Sequence, residues 1–468
     1  MRKLKLNTKF KYLLIFSIVV CCYLLYKPYY DYNNHRVELS SLVVDSAAYR
    51  LNLSRVVKFK LESRCLCRPE SIEVSRLKEA PTQFEISIND LNETYAYKYR
   101  LSEQLIESTR FTCDLYNSFR RGPNQRVVAY SILDYSSTRR DHYMSQLRLA
   151  STILSTYFPG WIIRVYHSGE SLNDNDHCEL QCLRDRSTNK ILDNIDLCSV
   201  NKLPMGLYGT WSAEYMFPST WRWLPIVDDF VNIFLSRRLD NCINQREISV
   251  IYDWMLNYAR TSSLIIRGKL LFYFFSSDYF FLFVWFMFLF VCIEYKDHPS
   301  HLDHMIGDLW ALKTKLNASL SNEIFNAISD QFLAKWYRSY GNDEAAERDF
   351  LTRFVWPLVQ SHSKIYDSYN CLSLKSGDPF PTKRDTSDAE FCFVGATKCC
   401  DYDNLRPKKS KKSARPLDNK TRALLNEIKI HNELKSSWPK YDDGYYFMSI
   451  NECPTQCRPK DSQNWIYC

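Results

Sequence analysis

The amino-acid sequence predicts an α/β protein built on a mixed, mainly parallel sheet that is flanked by helices. Arg126–Asp134 and Trp161–His167 are rich in β-branched and other apolar residues, which is typical of buried strands. Between them, apolar side chains recur at helical spacing over Met144–Phe158, and Pro159-Gly160 ends this helix. A strand, a helix and a strand joined by short connections form a βαβ unit, so the two strands are expected to be parallel.

The segment Val231–Asn241 (VNIFLSRRLDN) predicts a third strand, rich in β-branched and aromatic residues, that ends on a polar, charged loop containing Asp240. Asn244 is placed to cap the helix that follows, and Glu247 is expected to reach back to the cap. Ligands and metal-bound phosphates bind to α/β sheets outside the carboxyl ends of the strands. The loop is therefore a candidate site, and the alternative is a solvated turn between strand and helix. Later helices are predicted at Glu323–Tyr337, Ala345–Val359 and Arg422–Leu434.

The N-terminus has the pattern of a membrane anchor. Five basic residues precede the apolar run Tyr12–Tyr26, and this charge keeps residues 1–11 in the cytoplasm. The run is short for a plasma-membrane span but suits the thinner bilayers of the secretory pathway. No small-residue cleavage site follows it, which favours an uncleaved signal anchor over a removed signal peptide. We therefore expect a single-pass type II protein of the Golgi or ER membrane with a lumenal body.

Two features agree with a lumenal body. Acceptor triplets for N-glycosylation begin at Asn52, Asn92, Asn317 and Asn419. When three cysteines in apolar runs are set aside, an even number of the 17 remains, which is compatible with a disulfide network. The alternative is zinc binding by the pairs Cys178/Cys182 and Cys453/Cys457. Their spacings match no zinc pattern, and a lumenal compartment favours disulfides.

The rest of the chain divides into three parts. Residues 27–120 are a polar stem, residues 121–400 contain the predicted sheet, and residues 401–468 are a C-terminal extension with cysteines. The basic run Arg406–Arg415 is similar to a nuclear signal, but in a lumenal protein it is interpreted as a solvated linker. The net charge of +8 is raised by the basic N-terminus, so it does not indicate a nucleic-acid partner.

The segment Leu270–Ile293 differs from everything around it. Half of its residues are aromatic, and its length would allow a second membrane span. Such a span would place Asn317, Asn419 and the later cysteines in the reducing cytosol. It would also divide the predicted domain.

A series of short motifs resembles a eukaryotic family related to nucleotide-sugar glycosyltransferases of the GT-A fold. The motifs are Trp221–Pro225 (WRWLP), Ser236–Asn241 (SRRLDN), Asp297–His301 (DHPSH), Gly307–Trp310 (GDLW), Val355–Pro357 (VWP), Asp367–Cys371 (DSYNC) and Pro379–Arg384 (PFPTKR). The resemblance covers about residues 126–395. It implies a GT-A-like, Rossmann-like sheet behind the membrane anchor.

The resemblance also suggests an origin for the aromatic block. Without residues 268–296, Leu264–Arg267 would continue directly into Asp297-His298-Pro299, which restores a strand ending in the family's RDHP pattern. Gly268-Lys269 can be encoded by a splice-donor sequence, and AT-rich introns translate into Phe, Tyr and Leu. The block is hypothesised to be a retained intron, and a second membrane helix is the alternative.

The resemblance implies transfer of a sugar from a nucleotide-sugar donor to a glycan or glycoprotein acceptor. In such enzymes a pair of carboxylates after a central strand holds Mn²⁺ or Mg²⁺, which neutralises the departing diphosphate. Asp240 is the expected metal ligand, whereas Arg238 stands where the first Asp of the pair would be. A guanidinium cannot ligate a cation, although it can pair with a phosphate. The resemblance therefore leaves metal dependence open.

Other site residues follow from the same comparison of motifs. The catalytic candidates are Asp297, His298 and Asp367. The candidates for contact with the donor are Asp134, Arg237, Arg238 and His301. Asp134 ends the first predicted strand, where a turn residue is the alternative, and His298 and His301 have the alternative of being solvated loop residues.

Two functions follow from the sequence. The first is an active, membrane-anchored glycosyltransferase of the secretory pathway. The second is a non-catalytic lumenal binding or scaffold protein that keeps the fold, and Arg238 is the feature that argues for it. A sulfotransferase is also type II and lumenal, but no basic Ser/Thr-rich loop follows the first strand.

Overall fold

The computed structural model describes residues 58–89, 97–169, 172–241, 243–255, 292–297, 305–339, 343–369, 371, 377–384, 393–395 and 452–466. The chain forms two compact units, Met1–Lys58 and Phe59–Cys468, and the account below concerns the second. The predicted anchor, most of the aromatic block and the helix Arg422–Leu434 lie outside the described residues. Within those residues, no helix has the length and apolar character that crossing a bilayer requires.

The described residues form fourteen strands. These are β1 (Lys58–Glu62), β2 (Ser71–Arg76), β3 (Gln83–Asn89), β4 (Tyr97–Ser102), β5 (Gln125–Ile132), β6 (Trp161–His167), β7 (Ile195–Ser199), β8 (Leu203–Met205), β9 (Gly209–Trp211), β10 (Val231–Ser236), β11 (Cys292–Lys296), β12 (Trp310–Lys313), β13 (Ser363–Asp367) and β14 (Gly377–Asp378). β1–β4 make one sheet and β8–β9 a small hairpin, and the other eight strands make the central sheet.

Helices connect the strands. They are α1 (Glu103–Ser108), α2 (Leu115–Arg121), α3 (Ser137–Tyr157), α4 (Asp174–Gln181), α5 (residues 245–255), α6 (Ala318–Ile328), α7 (Gln331–Arg338), α8 (Asp343–Phe350) and α9 (Trp356–Val359). Short 3₁₀ segments occur at Pro218–Val227, Gln360–His362 and Thr455–Cys457, and a π-helical turn at Leu351–Val355 joins α8 to α9.

The central sheet has the strand order β14-β13-β11-β12-β10-β5-β6-β7. β12 pairs antiparallel with both of its neighbours, and the other described pairs in this sheet are parallel. The predicted βαβ unit is present as β5, α3 and β6, with Val128 opposite Ile163. The prediction of a mixed, mainly parallel α/β sheet is therefore confirmed.

Alternating residues of β5 face two different cores, because successive side chains of a strand point to opposite faces of the sheet. Val128 and Tyr130 belong to the core that also holds residues of α3. Val127 and Ala129 belong to the core that holds Trp223 of the 3₁₀ segment. The sheet is thus covered on both faces, which explains why β5 and β6 are apolar almost throughout.

Part of the predicted polar stem is folded. Strands β1–β4 form a sheet whose apolar face, including Ile72, Phe84 and Ile86, packs with Phe119 of α2. Disulfides Cys65–Cys178 and Cys67–Cys182 join the segment after β1 to α4. Residues 27–120 were predicted to be a polar stem, because their charge and tyrosine content hide the short apolar alternation of these strands.

Cys178 and Cys182 form disulfides, so the alternative that they bind zinc is wrong. Besides the two bridges of α4, Cys113–Cys198 connects the segment before α2 to β7. Cys371–Cys457 ties the C-terminal segment to the chain shortly after β13. The predicted disulfide network is therefore confirmed for these four bridges, and it links distant parts of the chain.

Two local predictions were wrong in detail. The single helix predicted at Glu323–Tyr337 is two helices, because Asp330 caps α7 by accepting a hydrogen bond from the backbone of Leu333 at 2.8 Å. Asn244 does cap α5, with its Oδ1 2.9 Å from the amide nitrogen of Glu247. The Glu247 carboxylate does not reach back to this cap and pairs with Arg237 instead.

The last residues of the aromatic block belong to the sheet. β11 lies between β12 and β13, with Ile293 opposite Ala311 and Lys364. A deletion of residues 268–296 would remove this strand, which leads directly into Asp297. The described part of the central sheet therefore includes Cys292–Lys296, and residues 256–291 lie outside the described residues.

A pair of buried histidines connects β6 to α4. Nδ1 of His167 lies 3.1 Å from the carbonyl oxygen of Ser168, and Nε2 lies 3.0 Å from Nδ1 of His177. A carbonyl only accepts, so Nδ1 of His167 donates to it, and His177 donates to His167. Burial lowers the pKa of His167 to about 4 and that of His177 to about 3.

The histidine pair predicts a loss of stability in acid. The unfolded chain takes up protons as the pH falls through about 6.5, whereas the folded pair stays neutral until about pH 4, so the stabilisation present above pH 6.5 is lost in that window. Between pH 7 and pH 4.5 the loss should be roughly 2–3 kcal/mol per histidine. Urea unfolding of wild type and of His167→Gln/His177→Gln measures this difference. Equal pH dependence of the two proteins would contradict it.

Candidate active site at the carboxyl edge of the sheet

The order of the central strands reverses at β5. The chain places β6 and β7 on one side of β5 and β10 on the other. At such a reversal the connections diverge and leave a crevice outside the carboxyl ends of the strands, where ligands bind. The loop Arg237–Asn241 follows β10 at this edge. The loop before β12 lies at the same edge, because β12 is antiparallel and Trp310 pairs with Ser236.

Arg238 and Asp240 lie on the open side of the loop. Nε of Arg238 is 3.5 Å from Oδ1 of Asp240, and its Nη1 is 3.6 Å from Oε2 of Glu344 on α8. The three side chains are 37%, 35% and 44% exposed, respectively. Asp240 first, and then the other nearby carboxylates, raise the pKa of Arg238 despite its partial burial, so it stays charged.

Arg237 has the opposite environment from Arg238. Its Nη2 is 2.9 Å from Oε2 of Glu247, and its Nη1 donates to the carbonyl oxygen of Asp308 at 3.2 Å. Burial raises the pKa of Glu247 to about 7, although Arg237 lowers it. Arg237 was expected to contact the donor, but its side chain is completely buried. It connects the loop to α5 and to the loop before β12.

Three further acidic residues lie at this edge: Asp308, Glu344 and Glu347. The sequence analysis did not assign them to a site. Asn241 donates a side-chain hydrogen bond to Asp308. Glu344 and Glu347 are one turn apart on α8 and therefore share a face of that helix. A Cβ atom on Gly307 would be 1.8 Å from Oε1 of Glu347, so the glycine leaves the space that this carboxylate occupies.

Glu347 is held by the aromatic motif before β10. It pairs with Arg222, whose Nε donates to Oγ of Ser236 at 3.0 Å. Trp223 donates to the same hydroxyl at 2.9 Å. Burial raises the pKa of Glu347 to about 7; Arg222 lowers it and the charge of Asp308 raises it. A carboxyl group whose pKa is raised toward neutral pH is suited to proton transfer.

Asp297, a predicted catalytic residue, has a buried side chain to which several segments of the chain donate hydrogen bonds. Arg246 of α5 makes two hydrogen bonds to its carboxylate, at 3.0 and 2.7 Å. Arg384 and Ser368 donate at 2.6 and 2.8 Å, and the backbone of Val394 donates at 3.1 Å. Burial alone would raise the pKa of Asp297, but Arg246 and Arg384 lower it. The buried carboxylate is thus engaged by these donors, and its lowered pKa makes it a weak base.

The other predicted residues are separated. Asp367 ends β13 in a buried position, and its Oδ1 accepts from the backbone of Tyr369 at 2.8 Å. Asp134 lies beyond β5 with an exposed side chain, 3.8 Å from Nε of Arg139. His298 and His301 lie outside the described residues. Only Arg238 and Asp240 of the predicted set are therefore brought together in the open crevice of the described structure.

The described residues at this edge do not fit the expected divalent ion. No group of three His, Cys, Asp or Glu side chains in the described ranges is arranged to hold a metal ion. Asp240, the expected ligand, faces the guanidinium of Arg238. Asp308 is engaged by the amide of Asn241. A fixed positive charge among the carboxylates disfavours a second cation.

Substitution of Asp297 tests its structural role. Asp297→Asn leaves Arg246 and Arg384 buried without their shared counter-charge, and the free energy of unfolding should fall by roughly 3–5 kcal/mol. Asp240→Asn removes a partly exposed carboxylate and should change it by less than about 1 kcal/mol. Urea denaturation followed by circular dichroism compares the two variants. If the Asp297→Asn protein were as stable as wild type, Asp297 would not be needed as the counter-charge of Arg246 and Arg384.

Comparisons with protein-family models, with curated proteins and with solved structures find no match to this chain. The interpretation of the edge therefore depends on its own geometry. Three features carry it: the reversal of strand order at β5, the exposed Arg238 and Asp240, and the buried Glu347 with a raised pKa.

Proposed function

We propose that this chain is a type II membrane glycosyltransferase of GT-A-like fold that acts in the Golgi or ER lumen. It would transfer a sugar from a nucleotide-sugar donor to a glycan or glycoprotein acceptor. The single observation that carries the proposal is the open charged loop Arg238–Asp240 at the reversal of strand order. A mainly parallel sheet with helices on both faces supports the fold, and four disulfides support a lumenal body.

The proposed reaction uses the residues of this edge in two roles. The acceptor hydroxyl attacks the anomeric carbon of the donor, and the bond from that carbon to the diphosphate oxygen breaks. The bonding electrons leave with the nucleoside diphosphate, whose negative charge faces Arg238. The hydroxyl proton passes to Glu347, which is held in place by Arg222 and has a pKa of about 7.

A non-catalytic lumenal binding protein is the second candidate. The observation that favours it is the pairing of Arg238 with Asp240 and Glu344, which leaves no group of metal ligands among the described residues. The two candidates differ in turnover, since both would keep the fold and the crevice.

Diphosphate release by wild type and by Glu347→Gln distinguishes the enzyme from the non-catalytic binding protein. If Glu347 accepts the proton, the variant should release nucleoside diphosphate from UDP- or GDP-sugars at least about 10²-fold more slowly than wild type. It should bind these sugars with unchanged affinity. Glu323→Gln is the matched control, because Glu323 is an exposed carboxylate on α6 that binds Ser319. Calorimetry measures binding, and a coupled assay measures diphosphate release in the presence of mixed glycoprotein acceptors. Wild-type binding without release would support the scaffold, and release unaffected by Glu347→Gln would remove Glu347 from the mechanism.

Glycosylation of Asn317 tests the topology. Asn317 begins α6, and its side-chain oxygen accepts from the backbone of Leu320 at 3.0 Å. In a lumenal body its acceptor triplet is available to the glycosylation machinery, so a glycosidase should reduce the mass of the protein made in cells. Asn317→Gln is the control that removes this shift at one position. A peptide containing Asn317 that carries no glycan in any molecule would argue against a lumenal location.

A further inference from the structure

We infer that Arg238 takes the place of a divalent cation at this site, so that the diphosphate of the donor is held by a guanidinium without a metal ion. The inference rests on the proposed function and specifies how its substrate is bound. It starts from the position of the guanidinium, which lies between Asp240 and Glu344 at the open edge of the sheet.

Two carboxylates lie beside the guanidinium of Arg238, and a third is near enough to raise its pKa. Asp240 comes from the loop after β10, Glu344 comes from α8, and the charge of Asp308, from the loop before β12, is also felt by Arg238. Three separate segments thus place carboxylates near the guanidinium of Arg238. The positive charge at that point belongs to the chain itself, and a divalent ion among the same carboxylates would be repelled by it.

The contacts of Arg238 leave it able to bind a phosphate. Its nitrogens lie 3.5 Å from each of the two oxygens of Asp240 and 3.6 Å from Glu344, which are long separations for ion pairs, and its side chain is 37% exposed. Ion pairs at such exposed positions contribute little, so exchanging them for a ligand costs little. A guanidinium presents five N–H donors in a plane and binds a phosphate through two of them at once.

Arg237 provides an internal comparison. It has the same side chain one residue earlier, but it is fully buried and bound to Glu247 at 2.9 Å. Arg237 therefore keeps the loop attached to α5, while Arg238 is left at the surface of the crevice. The two arginines divide anchoring and binding between them.

The inference is tested by binding of UDP and GDP to the purified full chain in detergent, with EDTA or with Mn²⁺. Wild type should bind with the same affinity under both conditions. Arg238→Asp should lose at least about tenfold in affinity in EDTA, and Mn²⁺ should restore it, because the new carboxylate joins Asp240 and Glu344, the present partners of Arg238, as an oxygen ligand. Arg238→Lys keeps the charge but not the planar pair of donors, and it should bind a few-fold more weakly in both conditions.

Arg353→Asp is the matched control. Arg353 is an exposed arginine that pairs with Asp349 at 2.7 Å, so its replacement makes the same change of charge elsewhere on the surface. Terbium luminescence, read without any nucleotide, should report tighter metal binding in Arg238→Asp than in wild type or Arg353→Asp. Thermal unfolding shows that each variant is folded.

The outcomes separate the inference from the proposed function. Wild-type binding that disappears in EDTA would overturn the inference and leave the glycosyltransferase proposal standing. Nucleotide affinity of Arg238→Asp equal to that of wild type would also overturn it. If wild type binds neither UDP nor GDP in either condition, both the proposed function and the inference fail.

Discussion

The hydrogen bonds and ion pairs of the buried Asp297 carboxylate hold together the segments at the carboxyl edge of the sheet. Its partners come from four segments: Arg246 from α5, Ser368 from the end of β13, Arg384 from the extended segment after β14, and the backbone of Val394. Two guanidinium groups and one carboxylate are buried together, and this burial is offset by the hydrogen bonds that they make with one another and with neighbouring groups such as the carbonyl oxygen of Thr382. This centre fixes where α5 begins, and hence the loop between β10 and α5.

The loop that carries Arg238 is held at both ends by separate contacts. At its start, the backbone nitrogen of Arg237 donates to the carbonyl oxygen of Ala129 in β5 at 3.1 Å, which continues the parallel pairing beyond β10. At its end, Asn241 binds Asp308 and Asn244 caps α5. A loop fixed in this way can present a charged side chain to solvent without ordering it on binding, which reduces the entropic cost of recognition.

Local patterns in the sequence predicted those parts of the fold that local interactions determine. The βαβ unit of β5, α3 and β6, the strand β10 and the Asn244 cap all follow from periodicity or capping within about a dozen residues. The antiparallel β12, the folded part of the stem and the strand at Cys292–Lys296 depend on pairing between distant segments. Glu347 was missed for the same reason, since Arg222, which identifies it, lies 125 residues earlier in the chain.

Acidic residues at one edge of the sheet differ in role because their surroundings differ. Asp297 keeps its charge since two buried arginines bind it, and this makes it structural. Burial raises the pKa of Glu347 to about 7, because Arg222 and Arg238 offset the burial only in part and the charge of Asp308 adds to it. Asp240 is partly exposed beside a charged arginine. A motif names the carboxylate but not the number of guanidinium groups around it. That number and the burial of the group are set by tertiary packing, so the motif alone does not tell whether a carboxylate keeps its charge, as Asp297 does, or has a raised pKa, as Glu247 and Glu347 do.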